Sequence, residues 1–263
     1  MARCIMKNKI KLIIKIVLFF AFFGVVGHVF AAETLSAKAI VEKSDKQMRG
    51  ESRYIELTMN VIRPDSTRSL SMKSWNKGED LSLVLVTAPA EERGNASLKR
   101  DNEVWNWDPR AEKVSKIVPS KLDRFWLASD FTTNDVINQS SIVADYDQKI
   151  IKEEVIDGDK TWVIDAIAKP DAPIMLSKVR LWISQKTFIQ RKVESYDEFN
   201  KLVNTMSTND IKEFNGRNVA TRIDMIPANK SGYKTEILIN KAHFDFIIDD
   251  EFFSKLQMKS LRN

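Results

Sequence analysis

Beyond residue 50 the apolar residues of this chain recur at every second position. Ile55, Leu57, Met59 and Val61 alternate with Glu56, Thr58 and Asn60, the spacing of a strand with one buried and one wet face. Arg63-Pro64-Asp65-Ser66 reads as a turn, after which Leu70 and Met72 resume the alternation as far as Trp75. Lys77-Gly78-Glu79-Asp80 is a second turn, and residues 81–86 form a strand that is apolar on both faces. Further strands are expected over 95–100, 103–107, 112–117, 145–156, 161–168, 178–183, 188–196, 201–210, 218–226 and 233–245. Short turns such as Asp157-Gly158-Asp159, Asn215-Gly216 and Lys230-Ser231-Gly232 separate them. Short connections join antiparallel neighbours. The pattern therefore predicts a mainly β chain, meandering through an open sheet or a barrel, and excludes a βαβ fold.

Three segments depart from period two. Residues from Thr34 to Met48 read as a helix with Leu35, Ala39, Val41 and Met48 as its apolar positions and Gly50 as its C-cap. Ser120 to Ala128 is a second helical stretch, carrying Leu122, Phe125, Trp126 and Leu127. Asp249 to Leu256 is a third, with Asp249 or Asp250 as N-cap. A curved sheet with so few helices is expected to hold them against its concave face, which is otherwise an exposed apolar trough.

The N-terminus has the three zones of a secretory signal peptide. Arg3, Lys7, Lys9, Lys11 and Lys15 precede an apolar run from Ile16 to Val26, and Val29-Phe30-Ala31 suits cleavage after Ala31 or one residue later. The run is shorter than the roughly 20 residues of a spanning helix; an uncleaved membrane anchor is the alternative. Residues 1–31 are thus read as a signal and 32–263 as one domain, located in the periplasm. Of 41 basic and 36 acidic residues, the signal holds five basic and no acidic ones. The remainder is balanced, which removes the basic surface a nucleic-acid partner requires. Cys4, the sole cysteine, precedes the apolar run. It is not a lipobox cysteine, and the mature chain can form no disulfide.

Motifs for chemistry are missing. His243 is the one histidine after residue 31, and no G-x-S-x-G elbow accompanies it. Zinc sites need several His or Cys ligands. Asp145-Tyr146-Asp147 and Asp157-Gly158-Asp159 do not fit a calcium-loop spacing. No glycines cluster as in phosphate-binding loops. These absences predict a protein that is not an enzyme and has no catalytic residues, metal or cofactor. A hydrolase with a carboxylate pair formed only in space is the remaining enzymatic alternative. What the chain does have is bulk: tryptophan at 75, 105, 107, 126, 162 and 182, and methionine at 48, 59, 72, 175, 206, 225 and 258. Such side chains either pack a core or line a cavity that adapts to acyl chains.

One resemblance orders these features. Asp101-x-x-x-Trp105-x-Trp107-x-Pro109, then Val118-Pro119, resembles the central segment of outer-membrane lipoprotein-sorting proteins of the LolA/LolB-like superfamily. Ser129-Asp130-Phe131-x-x-x-Asp135 is similar to a signature of its subgroup with no known ligand. Arg63-Pro64, Ser74-Trp75, Gly94, Tyr196-Asp197, Thr235 and Phe252 to Leu256 follow in the same order. The resemblance spans about Ala37 to Leu256. It implies an antiparallel sheet curled into an incomplete β-barrel, with an N-terminal helix and short helices as a lid over an apolar cavity. It also implies a periplasmic carrier of lipoprotein or lipid acyl chains, with an inner-membrane transporter as donor and an outer-membrane acceptor. Two departures stand out. The carriers tie their lid with an Arg-Pro pair where this chain has Asn76-Lys77-Gly78-Glu79, and the signature's Gly-Ser is Ala128-Ser129 here.

The expected cavity lining is Ile55, Leu57, Met59, Leu70, Met72, Trp105 and Trp107, with Phe125 and Trp126 on the lid. Ser129, Asp130, Phe131 and Asp135 form the signature. Burial of each acyl methylene would release about 0.8 kcal/mol. The rival reading is a monomeric adaptor of an envelope transporter whose trough is filled by its own side chains.

Overall fold

The computed structural model describes residues 35–138, 141–170, 172 and 176–261. The expected signal segment lies outside them. Helix α1 (Ala37–Arg49) opens the described chain. Strands β1 (Ser52–Arg63), β2 (Ser66–Lys77), β3 (Leu81–Ala88), β4 (Ala96–Arg100), β5 (Glu103–Asp108) and β6 (Lys113–Ile117) follow. A second run comprises β7 (Tyr146–Ile156), β8 (Asp159–Ala168), β9 (Lys178–Ser184), β10 (Gln190–Tyr196), β11 (Leu202–Phe214), β12 (Arg217–Pro227) and β13 (Lys234–Phe244). Helix α2 (Lys255–Ser260) ends it. Every strand expected from the alternation forms.

The 13 strands of the described residues make one antiparallel sheet in the order β6-β5-β4-β3-β2-β1-β13-β12-β11-β10-β9-β8-β7, not closed into a barrel. Tight turns explain the meander. Asp157-Gly158 and Asn215-Gly216 hold φ of 49° and 80°, and 50° and 79°. Positive φ at both central residues makes a turn whose twist matches that of paired strands.

The strand order decides what covers the sheet. β1 and β13 are neighbours at its middle, while β6 and β7 are its two edges. Residues 118–138 and 141–145 belong to the connection that joins edge to edge and so must cross a face. Below they are called the lid, and the face they cross the lid face. The row Val61–Thr235–Met225–Met206–Val193–Leu181–Ile164 runs across seven paired strands on that face. Helix α1 packs there too, with Ile40, Val41 and Ser44 fully buried. Ile40 replaces the expected Met48, which is 37% exposed.

The C-terminal tail takes the opposite face. Phe253 and Met258 are fully buried against Leu81, Leu83, Leu85, Leu98 and Trp105. The expectation that all helices share one face is therefore corrected. β13 ends mid-sheet, and the chain leaving it covers the side that the lid and α1 leave open. This also explains why β3 carries apolar residues on both faces: Val84 and Val86 face the lid, while Leu81, Leu83 and Leu85 face the tail. The tail is not one helix capped by Asp249 or Asp250. A 3-10 turn, Asp250–Phe252, precedes α2, which Ser254 caps through the Gln257 N–H at 3.2 Å.

Candidate functional site

The lid is not the helix expected over Ser120 to Ala128. Pro119–Lys121 and Trp126–Ala128 are single 3-10 turns, and Asn134–Asn138 is a π-helical turn. Leu127 and Ala128 adopt φ of 49° and 55°, a left-handed conformation that costs an L-residue about 1–2 kcal/mol. Two arginines hold this bend down. Arg63 donates to the Ala128 carbonyl at 2.8 Å and Arg68 to the Leu127 carbonyl at 3.3 Å.

The signature residues begin at this bend and run on into the π-helical turn. Asp130 is ion-paired with Arg63 at 2.9 Å, its N–H donates to Thr235 Oγ1 at 2.9 Å, and that hydroxyl donates back to its carboxylate at 2.7 Å. The Arg63 guanidinium also lies 4.7 Å from the Tyr233 ring centre. Ser129 is buried, donating to the Trp126 carbonyl and accepting from the Phe131 N–H. Thr132 and Asp135 exchange bonds as a capping box opening the π-helical turn. The lid is thus tied to the sheet by an arginine, but one at the end of β1 rather than after β2.

The expected lining residues separate into groups. Leu57, Met59, Leu70 and Met72 lie beneath the lid and pack with Trp126 and Ile137. Trp105 and Trp107 are grouped with the tail on the other face, although Trp107, near the sheet edge, also borders the hollow over β3–β6. Neighbours along a strand alternate, and Val104 takes the lid face in their place. Ile55 is buried at a small cleft near α1. Phe125 is 58% exposed at the rim of a hollow beside the lid, with Lys230 Nζ 4.8 Å from its ring centre.

Open space on the lid face flanks the packed cluster. One hollow of about 310 Å³ lies over β3–β6, lined by Val84, Val86, Ser97, Asn106 and the lid's Phe125 to Leu127. A second, of about 260 Å³, lies between α1, the lid's Phe131 to Asp135 and strands β9–β12, with Leu181, Val193, Met206 and Met225 on its floor. It adjoins a mainly apolar cleft of about 100 Å³ lined by Ile55, Ile189, Met206, Ile223, Ile239 and Phe244.

Charged groups gather where the second hollow meets the cleft. Asp45 and Arg49 pair at 2.7 Å across one turn of α1. Arg53, one residue into β1, lines both spaces. Its Nη1 donates to the Met48 carbonyl at 3.0 Å and its Nη2 to Asn76 Oδ1 at 3.4 Å, while its buried Nε has no partner. Burial, reinforced by Arg49 and opposed by Asp45, brings its pKa down to about 10, so it stays charged at neutral pH. Asp135 is open to water in the hollow yet hemmed in by protein, and this enclosure raises its pKa against two Thr132 hydrogen bonds. Arg53 was not among the residues expected from the sequence, although period two places it on the face of Ile55 and Leu57.

The groups weighed for chemistry are committed elsewhere. The His243 ring lies 6.4 Å from that of Tyr54, with its Nδ1 3.4 Å from Asn215 Nδ2. Asp157 and Asp159 both bind Arg191, at 3.2 and 3.1 Å. Among the described residues no cluster of His, Cys, Asp and Glu could hold a metal, and no helix is long and apolar enough to cross a membrane.

Comparison with known proteins agrees with this architecture. A family described as "uncharacterized protein" matches residues 78–260. No curated protein matches the chain. Among solved structures, a DUF1329 family protein from Desulfovibrio piger superposes with a TM-score of 0.76 at 22% identity, covering 86% of this chain and 100% of its own. A LolA superfamily protein from Nitrosomonas europaea gives 0.73 at 24% identity, covering 85% and 100%. An outer membrane lipoprotein-sorting protein domain from Vibrio parahaemolyticus gives 0.74 at 20% identity, covering 85% and 98%. At these identities the likeness establishes the fold, and it bears out the resemblance to the LolA-like superfamily at that level.

Proposed function

We propose that this chain, which belongs to the uncharacterized-protein family matched over residues 78–260, is an extracytoplasmic carrier of acyl chains. It enters the periplasm behind a cleaved signal and acts without catalysis on lipids or lipoproteins. The observation that carries the reading is the hollow between α1, the lid and β9–β12. Its floor is mainly apolar and its wall is the signature segment, held to the sheet by Arg63, Arg68 and the packing of Trp126 and Ile137. Occupancy by an acyl chain removes methylenes from water at about 0.8 kcal/mol each. For cargo to pass, the lid segment beside the hollow must move, and the Arg63–Asp130 ion pair is the charged contact that would have to give. The lipoprotein-sorting domain of similar fold supports lipoproteins as the cargo class, with an inner-membrane donor and an outer-membrane acceptor as partners.

The test is mass spectrometry of what co-purifies with the protein taken gently from its envelope, alongside Met206→Trp. Met206 lines both the hollow and the cleft, so an indole there fills the space with little change to the strand. A stoichiometric lipid or lipoprotein in the native protein, lost in the folded variant, is the expected result. A protein that stays empty after incubation with envelope lipids overturns it.

A second reading is favoured by one observation. Met59, Leu70, Met72, Trp126 and Ile137 are each at most 6% exposed, so this part of the trough is filled by the protein itself. An adaptor subunit of an envelope transporter would need no more than that, and the empty-protein outcome would select it.

A further inference from the structure

We propose that the cargo is an anionic amphiphile, with its oxyanion head on Arg53, where the hollow meets the cleft, and its acyl chain along the apolar lining of both, which includes Leu181, Met206, Ile223 and Phe244. The inference rests on the carrier reading and narrows it to a ligand class. A guanidinium offers five N–H donors. Two of those of Arg53 have protein acceptors, a helix carbonyl and an amide oxygen, and neither acceptor is charged. No carboxylate among the described residues lies within ion-pair distance of Arg53. Asp45, the nearest acid on α1, is held by Arg49 at 2.7 Å. An enclosed cation with an orphaned Nε is costly to maintain unless something completes it.

A purely structural role does not account for this arrangement. Capping the Met48 carbonyl uses one N–H and would be served by a lysine or glutamine at lower cost. The position of Arg53 is what sets it apart, because it stands between a hollow with polar edges and a mainly apolar cleft. The polar edges come from Gln190, Ser195 and Asn204. The other ionisable groups facing the hollow are Asp45, Arg49, Asp135 and Tyr146, and burial pushes the Tyr146 phenol up to about 12. A carboxylate or a phosphate monoester at the end of one acyl chain meets the geometry. Its head takes the free N–H groups and its tail runs along the apolar lining of the cleft and the hollow.

The experiment is a headgroup series on the delipidated full mature chain. Binding of oleate and of oleoyl lysophosphatidate is compared with oleyl alcohol, at one chain length, by calorimetry. Inorganic phosphate and acetate serve as head-only probes. A charged hydrogen bond lost on neutralising the head corresponds to about a tenfold weaker affinity or more. The expected result is that both anionic lipids bind at least about tenfold tighter than the alcohol, that the head-only probes do not compete, and that Arg53→Gln removes the difference while Arg53→Lys keeps part of it. The Nε–H resonance of Arg53 is followed in parallel on the native sequence, so that a variant that fails to fold does not decide the matter. It should move on addition of oleate and stay in place with the alcohol. Equal affinity for alcohol and oleate overturns the Arg53 assignment and leaves the carrier reading standing. An anion preference that survives in Arg53→Gln also overturns it. Failure of every amphiphile to bind removes both together.

Discussion

Arg63 and Asp130 are 67 positions apart in sequence and 2.9 Å apart in space. Their contact joins the end of β1 to the turn on which the lid bends. Asp130 is nearly enclosed, with 3% of its side chain exposed, and Arg63 is at 20%. Removing the arginine leaves a buried carboxylate with only Thr235 to satisfy it. Breaking fully buried pairs costs roughly 3–5 kcal/mol, and partial exposure of Arg63 lowers this to about 2–3 kcal/mol. Arg63→Leu is expected to lose that much in urea unfolding and to open residues 122–138 to limited proteolysis. A lid that resists protease as well as the native one would show that it is held by something else.

Ala128 stands in the left-handed region, where glycine pays no steric penalty. Ala128→Gly relieves about 1–2 kcal/mol of strain and gives back about 0.4–1 kcal/mol through a freer unfolded chain. A net gain of about 0.5–1 kcal/mol is expected, visible as a higher melting temperature. Destabilisation would mean that the Ala128 methyl makes packing contacts that outweigh the strain.

Enclosure raises the pKa of Asp135 above its unfolded value, with Asp123 adding to the shift. The folded state therefore holds this proton more tightly than the unfolded state. The stabilising contribution is full below the unfolded pKa of about 4 and is lost as pH rises through the folded value. Asp135→Asn keeps an oxygen to accept both Thr132 bonds and never ionises. The stability difference between variant and native protein should move in favour of the variant as pH climbs from 4 to 7. Parallel stability curves across that range would contradict this.

Phe253 is fully buried on the face opposite the lid, packed edge-on to Phe252 at 5.4 Å. Phe253→Ala is expected to cost about 3–5 kcal/mol and to leave acyl binding in the surviving folded fraction unchanged, because the tail touches neither the second hollow nor its cleft. Unfolding by denaturant measures the first, and calorimetry on the folded protein the second. Lost binding without lost stability would place the cargo on the tail face.

The sequence by itself determined the strands and their antiparallel meander. Alternation at Ile55 to Val61 and paired turn residues at Asp157-Gly158 and Asn215-Gly216 are local signals, and local sterics suffice to read them. It also marked Ser129 to Asp135 as a unit. It did not show what the unit does, because Asp130 finds Arg63 and Thr235 only after β1 and β13 have paired. Nor could periodicity place Trp105 and Trp107: alternation says that they share a face, while only the tail's path says which face is the lid's. The failed helix over Ser120 to Ala128 has the same origin. Its residues favour a helix, but Arg63 and Arg68 draw the Ala128 and Leu127 carbonyls to the sheet. Those contacts cross 59 to 65 positions of sequence. Strand formation was settled by neighbours along the chain, whereas the lid, its latch and the charge at Arg53 were settled by what the sheet order brought into contact.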